Sequence, residues 1–237
     1  MTVFFGTKRL SKLEDWKEIV GKKKWKKNYS AYELAYCWQT AAGFPKTIRK
    51  AFDSSGHQQL CGLRLQYCLV EKPVILDSKR APSITDLMAY GRNRSGDKII
   101  IAVEGKGKES FGQRVSKWIS SGLSRTTRRD RLNFLGKHLG KHIDSNSSLR
   151  YQILHRTVSV VLESQLHGTK AAVVLVHAFG PSISKSLEDY SEFLIWLGVE
   201  PKGPGIVAGP HSLGENCDVT TFFLWSQEPL SSPAVEK

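Results

Sequence analysis

Lys98-Ile99-Ile100-Ile101-Ala102-Val103 is an unbroken β-branched run, and it predicts a strand buried on both faces. Upstream, residues 83–90 alternate polar and apolar positions, which is the period of a strand. The polar, turn-rich link at 92–97 joins the two runs at hairpin length. Pairing these strands carries Asp86 toward Glu104. A further strand is predicted within 63–76, another at 170–177, and a last one at 218–225 beside it. Helices are read over 28–42, 149–166 and 184–197, with a short one over 10–20; helical spacing carries the second of these and an amphipathic pattern the third. In the 149–166 segment, Tyr151, Leu154, Val158, Val161 and Leu162 form an apolar stripe. Gln152, His155, Arg156, Ser159 and Glu163 form a separate polar one.

The chemistry suggested by this pattern lies where the Ile run ends, in Glu104-Gly105-Lys106. Residues two apart on a strand point to the same face, so Glu104 and Lys106 share a side. Two carboxylates converging at the mouth of a sheet suit a hard divalent cation, which takes oxygen ligands and bridges to phosphate. Lys106 beside them either stabilises charge building on a scissile phosphate or orients and helps deprotonate the attacking water. The plain alternative is three ordinary charges at strand ends.

Asp86, Glu104-Gly105-Lys106 and the order of elements together resemble the PD-(D/E)XK nuclease superfamily. That resemblance implies an α/β fold with a restriction-endonuclease-like core of helix, three-strand meander, helix and strand. The core covers about residues 28–180, within a mixed central sheet flanked by helices and extended by added N- and C-terminal elements. It also implies that Asp86 and Glu104 bind Mg²⁺ or Mn²⁺, that Lys106 is the catalytic lysine, and that Glu33 is an acid placed on the first helix. Gln152 with Arg156 is similar to the glutamine motif that several such families carry on the helix after the lysine strand. In that reading Gln152 helps position the site and Arg156 meets phosphate. Pro82 stands four residues before Asp86 rather than beside it, which departs from the first motif.

Charge points to a polyanionic partner without the motif. The chain carries 35 Lys and Arg against 22 Asp and Glu, a net charge of +13. Residues 1–30 hold nine basic and three acidic residues, and residues 105–142 hold ten and two. From residue 143 the balance reverses to six basic and ten acidic. Lys108 and the segment from Gly122 through Arg125, Arg128, Arg129 and Arg131 to Leu132 supply candidate phosphate contacts, because Arg forks and Ser/Thr hydroxyls both reach phosphate oxygens. Ser124 or Thr127 is the N-cap of a helix running on through Leu139, whose polar face is the alternative role for those arginines. The run Lys22 to Lys27 is either a grip with Trp25 stacking on a base, or a charged loop with one buried anchor.

Other chemistries find little support. The four cysteines, Cys37, Cys61, Cys68 and Cys217, form no CxxC pair, which argues against structural zinc and for reduced thiols. No Walker-type loop is present. A length of 237 residues predicts a single domain over 1–225, with a basic insertion at 107–148 and a loose tail at 226–237. Without an apolar run long enough for a bilayer or a leader, a cytoplasmic protein is expected. The leading expectation is a metal-dependent nuclease acting on DNA, in bacterial defence, restriction or repair, as the resemblance implies. Homodimerisation is expected by the same analogy. The runner-up is a non-catalytic nucleic-acid-binding module of the same fold, and a subunit with an acidic protein partner is third.

Overall fold

The Ile-rich run forms β5 (Lys98–Lys106), a strand at the centre of the sheet in the computed structural model, which describes residues 2–77, 81–121, 124–181, 183–214 and 217–231. Around it lie β1 (Val3–Phe5), β2 (Lys8–Leu10), β3 (Arg64–Val74), β4 (Ser83–Arg92), β6 (Ala171–Phe179), β7 (Val207–Ser212) and β8 (Thr220–Glu228). The helices are α1 (Leu13–Val20), α2 (Ser30–Thr40), α3 (Lys46–Asp53), α4 (Val115–Ser120), α5 (Arg125–Leu139), α6 (Tyr151–Leu166) and α7 (Ser184–Leu197). All eight strands join one mixed sheet in the order β2-β1-β3-β4-β5-β6-β8-β7. Strands β3, β4 and β5 make an antiparallel meander, and β6 and β8 continue it in parallel with β5.

Alternation along β5 explains the two apolar layers. Ile100 and Ala102 face a cluster with Leu135, Leu154, Val158 and Phe193 of α5, α6 and α7. Ile99, Ile101 and Val103 face Trp16, Leu34, Trp38 and Phe52 of α1, α2 and α3. A strand covered on both sides must be apolar at every position, and each fully buried side chain of this size contributes roughly 1.5–3 kcal/mol. The α5 segment, read from sequence as part of an insertion, buries Leu132, Leu135 and Leu139 in the first layer.

Several boundaries differ from the sequence reading. Leu10 closes a hairpin strand instead of opening a helix, because Gly6 adopts a left-handed φ of 56° and turns Val3–Phe5 back onto Lys8–Leu10. Residues 226–228 are not tail: they extend β8 alongside β6 as far as Phe179↔Glu228. Leu230 packs on the second apolar layer and the Ser231 amide donates to Glu33, so 229–231 are also held, and 232–237 lie outside the described residues. Helix α3 and edge strand β7 were not anticipated. Among the described residues no helix is long and apolar enough to cross a membrane.

Candidate active site

The antiparallel register Leu87↔Val103 sets Asp86 level with Glu104, one residue further along the pair. The Gly105 amide donates to Asp86 Oδ2 at 2.9 Å, which fixes the carboxylate against β5. Asp86 Oδ1 accepts no hydrogen bond from any described side chain or amide. Glu104 and Lys106 are each 2% exposed and point to the same side, with Lys106 Nζ donating to Glu104 Oε1 at 2.7 Å. The same ammonium donates to Gln152 Oε1 on α6 at 3.3 Å and lies 4.6 Å above the Phe111 ring.

Close approach of α2 holds the end of β5 in place. A Cβ on Gly105 would come within 2.4 Å of Leu34 Cδ1, and one on Gly107 within 2.5 Å of the Asn28 carbonyl. Glu104-Gly105-Lys106-Gly107 therefore alternates chemistry with the absence of a side chain, because Leu34 and Ser30 of α2 pack directly onto Gly105 and the Asn28–Tyr29 backbone before α2 packs onto Gly107.

The electrostatics separate the two carboxylates. Burial raises the Asp86 carboxyl to about 7, with the Glu104 charge adding to it and Arg156 and Lys106 only partly offsetting both. Burial pushes Glu104 upward too, but Lys106 and Arg156 overcome it and hold that carboxyl down at about 2. Glu104 is thus ionised at neutral pH, whereas Asp86 is poised between its two forms. Two neighbouring acids driven apart by their surroundings are the arrangement that acid–base and metal sites use.

Arg156 is not a phosphate contact. It is 1% exposed, its Nε and Nη2 both donate to Glu104 Oε2 at 2.9 and 2.7 Å, and it also bonds Thr85 Oγ1 and the Ile84 carbonyl. The polar stripe of α6 turns toward the sheet rather than the solvent: Gln152 reaches Lys106, Arg156 reaches Glu104, and Glu163 accepts from Tyr90. Arg131 is also turned inward: it is 2% exposed, and its Nε and Nη2 donate to Asp77 and the Ala81 carbonyl. Glu33 is buried as expected of a helix-borne acid, but its oxygens accept from the Asn28 and Ser231 amides and it does not line the cavity. Arg125, Arg129 and Lys108 are exposed, outside the cavity lining. Gly122 and Leu123 of the predicted arginine segment lie outside the described residues, and Ser124 is the N-cap of α5, accepting from the Thr127 amide.

Asp86, Glu104, Lys106 and Gln152 all line one cavity of about 580 Å³. Lys23, Lys24 and Lys26 form part of its rim, so the N-terminal lysine run faces the site, while Trp25 packs half-buried against Tyr32 as the anchor of that loop. Trp118, Tyr151 and His155 make another wall. Their contribution was not legible, because Tyr151 reads as core and Trp118 follows no chemical motif. Burial, then the Arg156 charge, lowers the His155 imidazole to about 3, so it is neutral, and its Nδ1 pairs with Ser83 Oγ at 2.8 Å.

Oxygen donors from Asp86 and Glu104 fit a hard divalent cation in this cavity, with Asp86 Oδ1 open to it. A second cluster, Cys37, His177 and Glu228, brings ligand-type atoms within 4.8 Å of one another on the opposite side of the sheet. It fails as a metal site on tautomer grounds. Trp38 Nε1–H donates to His177 Nδ1 at 3.0 Å, so the proton of this neutral ring is on Nε2, the only atom left to face a metal. A ligating histidine donates from its other nitrogen instead. Burial, reinforced by the charges of Glu228 and Glu33, also pushes the Cys37 thiol up to about 12, away from the thiolate a metal needs.

A family model described as a domain of unknown function (DUF6946) matches residues 9–230. Neither the curated proteins nor the solved structures contain a match to the chain.

Proposed function

The chain belongs to the DUF6946 family, and we propose that it is a metal-dependent nuclease that hydrolyses DNA phosphodiester bonds in the Asp86–Glu104–Lys106 cavity. The observation that carries this reading is the convergence of those three groups with Gln152 in one basic-rimmed cavity. Asp86 and Glu104 would hold Mg²⁺ or Mn²⁺, which when bound lowers the pKa of water and offsets phosphate charge. Glu104 comes to this task already ionised, oriented by Arg156. Asp86 must give up the proton that burial favours. Lys106, held between Glu104 and Gln152, donates to the phosphate oxygens as charge builds on them. Gln152 would keep the Lys106 ammonium aimed into the cavity were Glu104 to hold a cation. The lysines at the rim draw the polyanion in.

The geometry supports catalysis over a pure binding role. A binding surface gains nothing from two carboxylates at the bottom of a phosphate path, where they repel the ligand. The test is cleavage of plasmid and single-stranded DNA by the purified chain in Mg²⁺, in Mn²⁺ and in EDTA. Cutting that appears with either metal and stops with chelator is expected; DNA binding without cutting under any metal would leave the non-catalytic module.

A further inference from the structure

A second cavity, of about 600 Å³, shares Trp118, Tyr151 and His155 with the candidate active site, so these rings form the partition between two compartments. Among the described residues no carboxylate lines the second compartment; Arg128, Arg131, Ser83, Ser124 and Thr127 are among its polar groups. Of the two arginines, Arg131 is spent on Asp77 and the Ala81 carbonyl. Arg128 is held differently. Tyr151 stacks on one face of Trp118, with centroids 3.8 Å apart and planes 10° from parallel, and the Arg128 guanidinium covers the other at 4.9 Å. A single hydrogen bond from Nη1 to Ser121 Oγ, 2.8 Å long, completes its restraint.

A guanidinium stacked on an indole keeps its charge and most of its in-plane donors while losing its freedom to swing away. Such a fork is preorganised for an anion with several oxygens. From these contacts we propose that the second compartment is a subsite for a phosphate neighbouring the scissile one in the same DNA strand, bound by Arg128 with hydroxyls of Ser124 and Thr127. This rests on the nuclease reading of the first cavity. The Arg128–Trp118–Tyr151 stack, with His155 tilted at 51° against Tyr151, then sets the separation of the two phosphates, with nucleotide passing over the ring edges rather than between Trp118 and Tyr151.

The test is binding of a fluorescent single-stranded 12-mer of thymidine in EDTA, read by anisotropy, for the wild type, Arg128→Ala, Arg128→Lys, Trp118→Leu and Arg125→Ala. Thermal melting of each variant checks that it is folded. Arg128→Ala is expected to weaken binding about tenfold. Arg128→Lys does not recover it, because an ammonium neither forks nor stacks as guanidinium does. Trp118→Leu matches the Arg128→Ala loss, a Trp118→Leu/Arg128→Ala double variant measured beside them is no worse than either, and Arg125→Ala, on the exposed face of the same helix, changes little. Recovery by lysine, or an equal loss in Arg125→Ala, would mean a diffuse basic field and would overturn the subsite. Metal-dependent cleavage surviving that result leaves the nuclease reading in place. Arg128-dependent binding with no cleavage under any metal keeps a DNA-phosphate site at Arg128 but removes the nuclease reading, and with it the scissile neighbour; a wild type that does not bind the 12-mer at low salt overturns the site outright.

Discussion

Asp86 is the residue whose surroundings oppose its chemistry. Its carboxyl is raised from 3.8 to about 7 by burial and by Glu104. A carboxyl raised in the folded state holds a proton there that the unfolded chain has already lost. Its favourable contribution to the metal-free fold is complete below the unfolded value and disappears as pH rises through about 7. Asp86→Asn removes that loss, so in EDTA its Tm should exceed the wild-type Tm at about pH 8, with the gap closing toward about pH 4. Equal melting temperatures across that range would show that the carboxyl is not strained. Arg156 has the opposite relation to its surroundings, since it neutralises a buried charge. Arg156→Met leaves Glu104 with Lys106 alone, and urea unfolding should register a loss of about 3–5 kcal/mol. Exposed Arg125→Met should stay within about 0.5 kcal/mol. These roles also mark the limit of the sequence at this scale. Strand period and hairpin length bring out Asp86, Glu104 and Lys106, and the helical polar stripe with the family resemblance brings out Gln152. They do not reveal that Arg156 and Arg131 are consumed by Glu104 and Asp77, because polarity in a sequence does not specify a partner.

At the scale of elements, the meander β3–β4–β5, the strands β6 and β8, and the helices α2, α6 and α7 were all legible, because each is long and strongly periodic. The elements that escaped are short or depend on partners. Helix α3 is eight residues, with Ile48, Ala51 and Phe52 packed inward. Strands β1 and β2 are three residues each and gain stability only by joining β3. The polar stripe of α6 was visible, but its direction was not, since the apolar stripe alone does not say how deeply both sides are buried. One element contact controls the site geometry, the packing of α2 on Gly105 and of the loop before it on Gly107. Gly107→Ala sets a Cβ against backbone that cannot step aside, and overpacking of this kind costs about 1–3 kcal/mol. Both the melting temperature and the metal-dependent activity should fall in Gly107→Ala. A variant with an unchanged melting temperature would show that α2 yields at no cost.

Across the whole molecule, the excess of positive charge is only partly available to a ligand. Arg131, Arg150 and Arg156 are neutralised internally by Asp77, Asp189 and Glu104, which the net charge of +13 does not reveal. The lysines at the cavity rim remain at the surface. The double variant Lys23→Ala/Lys26→Ala should bind DNA more weakly and lower the slope of log affinity against log salt by roughly 0.7–0.9 per lost phosphate contact, without altering stability. An unchanged slope would take the lysine loop off the DNA path. The central claim, that this cavity performs metal-dependent hydrolysis, is tested most directly by single-turnover cleavage at saturating Mn²⁺ with wild type, Lys106→Ala and Asp86→Asn at matched DNA occupancy. Both variants should still bind DNA, and both should lose cleavage by at least about a hundredfold. Cleavage at the wild-type rate by either folded variant would contradict it.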